Sequence, residues 1–339
     1  MQITVIFRLA IILGFSLTVT LRAQDPQFSQ FYAAPLYLNP AFAGATYEHR
    51  FILNHRLQWP SLPKAFVTYA FSYDFNMTEL NSGFGLLAST DKAGSANLRS
   101  TNVGFAYSYK LQVGGGWILS PGLYFSYSMR DFDFDRLVFG DQLTFGNDDA
   151  PTSDPILGRD MTARFFDFGA GFLIYNKNFW LGISSYHLNE PNRTIVDQEE
   201  VLSMRNSIHG GYRFTLYEGF GESSRKSSIA PFFHYKSQGE FDQLDLGFHF
   251  HYNPIVSGIW YRGIPIERNK FDYVNQDALV FLLGLRFDQM DVGYSYDITI
   301  SGLGASSGGS HEISAMYQFN AKKSPKVKRK EKFIPCPTF

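Results

Sequence analysis

The chain contains a single cysteine, Cys336, so it cannot form an intrachain disulfide. Charged residues make up only 18% of its 339 residues, and the formal net charge is −1. Because it has no pronounced basic excess, the chain lacks the charge signature of a nucleic-acid-binding protein, and no nucleic-acid partner is expected. One cysteine near the end of the chain also supplies too few ligands for a metal site, so no metal or cofactor is expected.

Long apolar runs are almost absent. One short run, Leu9–Leu21, follows Arg8 and precedes Ala23, a pattern that predicts a secretory signal peptide over residues 1–23. A small residue is preferred where Leu21 stands, and the alternative is an uncleaved anchor, although the run is shorter than the ~20 residues needed to span a bilayer. If the rest of the chain lies in a membrane, it must do so as a closed sheet, because lipid cannot satisfy open backbone groups.

Aromatic residues are abundant, with 34 Phe, 20 Tyr and 4 Trp, and they recur with a period of two. In the segment 65–75, AFVTYAFSYDF, Tyr69 and Phe71 fall on one side of an extended chain and Thr68 and Ser72 on the other. The same alternation recurs in NVGFAYSYKL, LYFSYSM, DLGFHFHY and DVGYSYDITI. It predicts strands with one aromatic face and one small or polar face.

The alternation predicts fourteen strands, most of the length that a tilted membrane strand requires. Their ranges are 49–58, 65–75, 81–90, 99–111, 117–130, 164–175, 179–186, 206–216, 228–236, 242–252, 255–263, 277–287, 291–300 and 310–320. The three longest predicted connections, 131–163, 187–205 and 264–276, all fall on the same side of the sheet. Because bacterial barrels have short periplasmic turns and longer outer loops, these three connections are predicted to be outer loops.

These features predict an all-β fold, an antiparallel transmembrane β-barrel over residues 48–320. A soluble β-sandwich would show similar alternation, but it gives no reason for the long connections to lie on one side. In the barrel, Tyr69 and Phe71 face lipid and Ser72 faces the lumen. The connection 131–163 holds eight Asp and two Arg, which favours a solvated loop, with a Ca²⁺ site as the alternative.

Two segments lie outside the strand pattern. Residues 24–47 contain three prolines and lack sustained alternation, which predicts a structured arm whose aromatic residues plug the lumen or dock a partner. Residues 321–339 form a tail with seven basic residues and one acidic residue between Lys322 and Lys332. The tail is interpreted either as solvated chain beside anionic lipid or as a docking peptide. With an even number of strands, both chain ends are expected in the periplasm.

Several stretches together resemble the PorP/SprF family of outer-membrane proteins associated with type IX secretion in Bacteroidota. They are DPQFSQFYAAPLYLNPAFAG in the arm, the later QWPSLP and TYAFSYD, GSHEIS before the final strand, and the closing CPTF. The matching positions, taken as family-motif or partner-docking candidates, are Phe28, Ser29, Gln30, Phe31, Tyr32, Pro35, Asn39, Pro40, Phe42, Gly44, Cys336, Pro337 and Phe339.

The resemblance implies a non-enzymatic barrel that helps to export or anchor C-terminally tagged proteins, such as adhesins, including gliding-motility adhesins. The implied partners are outer-membrane lipid, a secreted adhesin or its C-terminal domain, and other type IX secretion components in the periplasm or outer membrane. The alternative function is a passive or ligand-selective porin.

Candidate catalytic and metal residues are few. Ser185 with His187, and Ser207 with His209, each pair a hydroxyl with an imidazole, but no orienting acid is evident, so a hydrolase is the least favoured reading. His249 and His251, together with Asp245, are interpreted as polar lining of the lumen, because a third metal ligand would have to come from another strand.

Overall fold

The computed structural model describes residues 24–46, 49–62, 65–94, 97–132, 141, 161–195, 200–217, 227–268, 274–287, 289–302 and 304–319. Its strands are β1 (His49–Gln58), β2 (Phe66–Met77), β3 (Ser82–Ala93), β4 (Leu98–Tyr109), β5 (Leu111–Gln112), β6 (Ile118–Asp131), β7 (Thr162–Tyr175), β8 (Phe179–Tyr186), β9 (Arg205–Tyr212), β10 (Phe214–Tyr217), β11 (Ser227–Gln238), β12 (Phe241–Tyr252), β13 (Ile255–Arg268), β14 (Val274–Arg286), β15 (Met290–Thr299) and β16 (Ser310–Phe319).

Two of these strands are short continuations of their predecessors. β5 pairs with β6, as β4 does, and β10 pairs with β11, as β9 does. Each interruption is one residue whose backbone N–H donates to a turn carbonyl: Lys110 to Asn81 at 2.7 Å, and Arg213 to Asn178 at 2.7 Å. The predicted strands 99–111 and 206–216 therefore each contain a break that hydrophobic alternation does not reveal.

The sheet is a closed antiparallel barrel of fourteen strands, as predicted. Each strand pairs with its neighbours in sequence, and β16 returns to pair with β1 from Ser310↔Gln58 to Phe319↔His49. Closure leaves no free sheet edge along most of the wall, so the backbone hydrogen bonds are satisfied within the protein.

The aromatic faces of the strands point outward. In β2, Tyr69 is 48% exposed and Phe71 is 40% exposed. The alternate residues Ala70 and Ser72 are only 5% and 3% exposed. The same alternation occurs around the barrel: exposed Phe, Tyr and Leu side chains alternate along the strands with buried Ser, Asp and Arg side chains. An apolar exterior around a polar interior is the pattern of a membrane barrel rather than of a water-soluble sandwich.

The two ends of the barrel differ in their connections. The three longest connections, 132–161, 187–204 and 300–309, lie at one end, which we call the long-loop end; the other is the short-turn end. The predicted loop 264–276 is mostly strand, because β13 runs to Arg268 and β14 begins at Val274. Most of the acidic loop 131–163 and all of the tail 321–339 lie outside the described residues. Within the described ranges, no helix is long and apolar enough to cross a membrane.

Candidate functional site: the arm inside the lumen

Residues 24–46, which we call the arm, fold into short helical turns inside the barrel. A 3₁₀ turn (Phe31–Ala33), the helical turn α1 (Pro35–Leu38) and a second 3₁₀ turn (Pro40–Phe42) follow one another. Proline fits the first position of such turns, where no backbone N–H is needed. The Asn39 side chain caps the last turn by accepting from the N–H of Ala41 at 2.9 Å.

Four of the five aromatic residues of the arm are buried inside the lumen: Phe28, Phe31, Tyr32 and Phe42. The Phe31 ring packs on Phe232, with 5.2 Å between ring centroids, and the Tyr32 ring packs on His249 at 4.5 Å. The Phe31 and Tyr32 side chains are at most 5% exposed. Burying one such side chain contributes about 1.5–3 kcal/mol, so these residues anchor the arm to β11 and β12.

A buried cluster of charged side chains binds Ser29 and Gln30 of the arm. The Glu312 carboxylate accepts the backbone N–H of Ser29 at 2.6 Å and that of Gln30 at 3.1 Å. The Ser29 hydroxyl donates to Asp297 at 2.5 Å and accepts from Arg262 at 3.0 Å. These side chains are almost completely buried, which makes their hydrogen bonds charge-assisted and well ordered.

Arg56 and Arg262 link the same cluster to the wall. Arg56 donates to Asp297 at 3.0 Å and lies 3.3 Å from Glu312, while Arg262 donates to Asp297 at 2.9 Å and to Asp245 at 2.8 Å. Each buried charge therefore has an opposite charge in contact with it. Removing one member would leave the buried charges that it contacts with fewer opposite charges beside them, which is costly.

Two amide side chains of the arm, Gln30 and Asn39, each form several hydrogen bonds with the lumen wall. Gln30 donates to the carbonyl of Glu312 at 2.9 Å and accepts from the Ser314 hydroxyl at 2.6 Å. Asn39 donates to the carbonyl of Ile183 at 3.0 Å, and its amide lies 3.2 Å from a ring nitrogen of His209. Gln30 and Asn39 thus fix the arm at two heights.

Hydroxyl groups of the wall bind the arm's backbone carbonyls. Four bonds of this kind are Tyr186 to Leu36 at 2.6 Å, Ser184 to Leu38 at 2.7 Å, Ser120 to Ala41 at 2.9 Å and Ser108 to Ala43 at 2.7 Å. The ammonium group of Lys110 adds a further bond to the carbonyl of Gly44. Hydroxyl residues on the inward face, three of them serines, therefore supply partners that the non-strand backbone of the arm requires.

Glycines on the inward face let the arm approach the strands closely. A Cβ at Gly83 would collide with the carbonyl of Ala43, and one at Gly122 would collide with the backbone of Ala41. Gly44 in the arm adopts φ +60°, and a Cβ there would lie 2.6 Å from the Cα of Gly83. The small residues of the polar faces thus form the seat of the arm.

Near the long-loop end, Asp25 fastens the beginning of the arm. Its carboxylate lies 2.6 Å from Nε2 of His187 and 3.1 Å from Arg205, and the other nitrogen of His187 lies 2.9 Å from Asp167. Burial opposes protonation of His187, but the two carboxylates outweigh it and raise its pKa from 6.5 to about 9. Burial also opposes ionisation of Asp25, but His187 and Arg205 outweigh it and lower its pKa.

The arm runs the length of the lumen. It joins β1 at the short-turn end, and Gln24, its first described residue, lines the same cavities as Trp59 at the long-loop end. The even number of strands predicts both chain ends on the periplasmic, short-turn side, whereas the described start of the arm lies at the long-loop end. Above the arm, two cavities of about 1440 Å³ and 540 Å³ open near the long loops.

The structure brings the predicted arm residues together as one interface with the wall. Phe28, Ser29, Gln30, Phe31, Tyr32, Asn39, Pro40 and Phe42 are all buried. Cys336, Pro337 and Phe339 lie outside the described residues. Four further residues of the site, Glu312, Asp297, Arg56 and Arg262, were not among those predicted from the sequence. The sequence does contain a signal that could have identified them, because each is a charged residue on the polar face of a predicted strand.

The structure does not assemble the hydrolase pairs. Ser185 donates to Asn206 at 2.6 Å on the outer face, while His187 turns inward to Asp25. The Ser207 hydroxyl lies 2.9 Å from that of Ser184.

Nor do the described residues bring three or more His, Cys, Asp or Glu side chains into a metal-binding arrangement. His249 packs instead between aromatic rings, with its ring centroid 4.7 Å from that of Phe232.

A protein-family model matches most of the chain. The family model described as "Type IX secretion system membrane protein PorP/SprF" matches residues 20–317. Among curated protein sequences, none is significantly similar to the chain.

Solved structures with low similarity include three outer-membrane proteins. Omp33 of Acinetobacter baumannii is 7% identical over 81% of this chain and 100% of its own, with a TM-score of 0.43. The toluene transporter TodX of P. putida is 9% identical over 84% and 93%, with a TM-score of 0.45. CdiB of A. baumannii is 7% identical over 80% and 60%, with a TM-score of 0.41.

Proposed function

Because this chain belongs to the PorP/SprF family of type IX secretion system membrane proteins, we propose that it is a non-enzymatic barrel supporting the export or surface anchoring of C-terminally tagged proteins. Adhesins, including gliding adhesins, are the cargo class that we propose. The barrel lies in the outer membrane, where its apolar exterior matches the hydrocarbon.

The observation that carries this proposal is the filled lumen. The arm is bound along its length by buried charges, hydroxyl groups and aromatic packing, for example between Glu312 and Ser29 at one height and between Ser120 and Ala41 at another. A barrel built around such an arm is suited to anchoring other proteins rather than to conducting solutes. Arm residues from Phe28 to Gly44 serve the function by keeping the arm seated.

The mechanism that we propose is scaffolding. The long-loop end engages the C-terminal domain of the exported protein at the cell surface. The short-turn end and the basic tail 321–339, with Cys336, Pro337 and Phe339, contact other secretion components in the periplasm. Lipid around the outward aromatic residues holds the assembly in place.

A deletion strain tests this function. Removing the gene should abolish surface display of at least one C-terminally tagged protein, and the wild-type gene should restore it. A variant that truncates residues 321–339 separates the two ends of the scaffold: it should assemble as a barrel and fail to recruit periplasmic components in a pull-down. Unchanged surface display in the deletion strain would contradict the proposal.

The second candidate function is a ligand-selective pore. The cavities at the long-loop end favour it, because the larger one measures about 1440 Å³ and can hold a small molecule. In this reading the arm would have to leave the lumen before a solute could pass. Conductance measurements distinguish the two functions.

A further inference from the structure

The barrel wall is split between β12 and β13 at the long-loop end. The two strands pair from Tyr252↔Ile255 to Asp245↔Arg262, and the pairing stops there. On its other side, β12 continues to pair with β11 up to Phe241↔Gln238. The first four residues of β12, 241–244, therefore have a strand partner on one side only among the described residues.

The split has a local cause in β13. Gly263 adopts φ +138° at a register shift, and a Cβ there would lie 2.6 Å from the carbonyl oxygen of Asn275. Beyond it, Ile264 pairs with Asn275 of β14, and Pro265 has no backbone N–H with which to pair. The end of β13 thus follows β14 and leaves β12.

The edge of β12 presents backbone groups to this split. The Asp242 carbonyl accepts from the Asn275 side chain at 3.2 Å, which shows that Asp242 points towards β13 and β14. Alternate residues of an antiparallel strand direct their N–H and C=O to the same edge, so Leu244 points the same way. No strand of the described chain pairs with Leu244 on that side. Such an edge is a template for an added strand.

The larger cavity adjoins the split and is acidic. Asp242, Asp245, Asp277 and Glu240 line it together with Gly263 and the start of the arm. Among the described lining residues, five carboxylates, Asp25 included, outnumber the two basic side chains, Lys236 and Arg205. Arg262 contacts Asp245 at 2.8 Å and Asp277 at 3.8 Å, which compensates only part of this excess. The net negative charge favours a positively charged ligand.

We propose that this split binds an extended, lysine- or arginine-bearing segment of another polypeptide, which adds to the edge of β12 as a strand and places its basic side chains towards the acidic cavity. The proposal goes beyond the proposed function, because it names a site and a ligand chemistry that do not depend on which protein is exported.

Hydrogen exchange of the purified full-length barrel tests this directly. The probe is a synthetic peptide of about ten residues, alternating Thr and Val with interspersed Lys, which is long enough to form a strand. We expect it to slow exchange of the Asp242 and Leu244 amides. A matched peptide with Glu in place of Lys should bind about tenfold more weakly or worse, and one interrupted by Pro should not protect these amides.

Two variants report on the same contact. Leu244→Pro removes an N–H that no strand of the described chain uses, so the protein should fold and lose peptide protection of the Asp242 amide. Asp277→Asn should fold and bind the Lys peptide several-fold more weakly, a result that remains informative if Leu244→Pro does not fold. Absence of protection at about 1 mM peptide, or equal protection by the Lys, Glu and Pro peptides, would overturn the proposal.

Discussion

The carboxylate of Glu312 accepts the backbone N–H of Ser29 at 2.6 Å, although 283 positions separate the two residues in sequence. Glu312 lies in the last strand and Ser29 in the arm, so the bond joins the final strand of the barrel to the segment that precedes the first. The arm can therefore be fully seated only when β16 has closed the barrel against β1.

Replacing Glu312 should loosen the arm. Glu312→Ala leaves Arg56 buried without one of its anionic partners and leaves the N–H groups of Ser29 and Gln30 unbonded. We expect a loss of about 2–6 kcal/mol in the free energy of unfolding, because each of the two buried N–H groups left without a partner costs about 1–3 kcal/mol. Urea unfolding in detergent micelles measures this loss, and Glu79→Ala in an exposed turn is the control. A loss as small as that of the control would show that Glu312 does not hold the arm.

A larger residue in the seat of the arm should displace it. Gly83→Val places side-chain atoms where the Ala43 carbonyl lies, and overpacking of this kind costs about 1–3 kcal/mol. We expect chymotrypsin to cleave the arm at Phe and Tyr residues that are protected in the wild type. Gly302→Ala is the control, because a Cβ there meets nothing within 4 Å. If the arm of Gly83→Val stays resistant to chymotrypsin, the arm does not require the close contact between Gly83 and Ala43.

The lipid-facing surface should not accept charge. Phe71 is 40% exposed on the outer face of β2, and an Arg near the bilayer midplane costs about 2–4 kcal/mol. Phe71→Arg should reduce the yield of heat-modifiable barrel seen by gel electrophoresis. Leu80→Arg, in a turn at the short-turn end, should assemble normally. Equal yields from the two variants would contradict the assignment of faces.

The contact of the arm with His187 should depend on pH. Because the pKa of His187 is raised from 6.5 to about 9, its stabilisation is complete below pH 6.5 and is lost as the pH rises through 9. The pKa of Asp25 is lowered from 3.8, so its contribution is complete above that pH and declines as the pH falls further.

Exchange of the amides near Asp25 measures this dependence. They should exchange more readily at about pH 9.5 than at about pH 6, once the intrinsic exchange rates are corrected for. His187→Ala should remove the difference, whereas His311→Ala, on the outer face, should keep it. A difference that survives in His187→Ala would assign the effect to another group.

The sequence predicted the barrel well because its signals are local. Alternation at Tyr69, Phe71 and Ser72 reflects the pleat of a single strand, and the burial of these residues follows it. The breaks at Lys110 and Arg213 were not predicted, because each depends on a hydrogen bond from the backbone N–H to a carbonyl in a turn of a neighbouring hairpin.

The packing inside the lumen could not be predicted in the same way. An open lumen would accept an Arg at Ser72, but this residue is 3% exposed in the filled barrel, so Ser72→Arg should disrupt packing. Partners such as Gln30 and Ser314 are far apart in sequence, and no local pattern links them. The arm motif indicated that its residues act together, but the wall residues that bind them are seen only in the folded structure.

Single-channel conductance of the purified protein in a planar bilayer tests the central claim most directly, because that claim is that the arm closes the lumen. We predict that the intact protein gives no large steady conductance, and that deleting residues 24–46, or unseating the arm with Gly83→Val, produces one. A large steady conductance of the intact protein, unaltered by either change, would contradict the account.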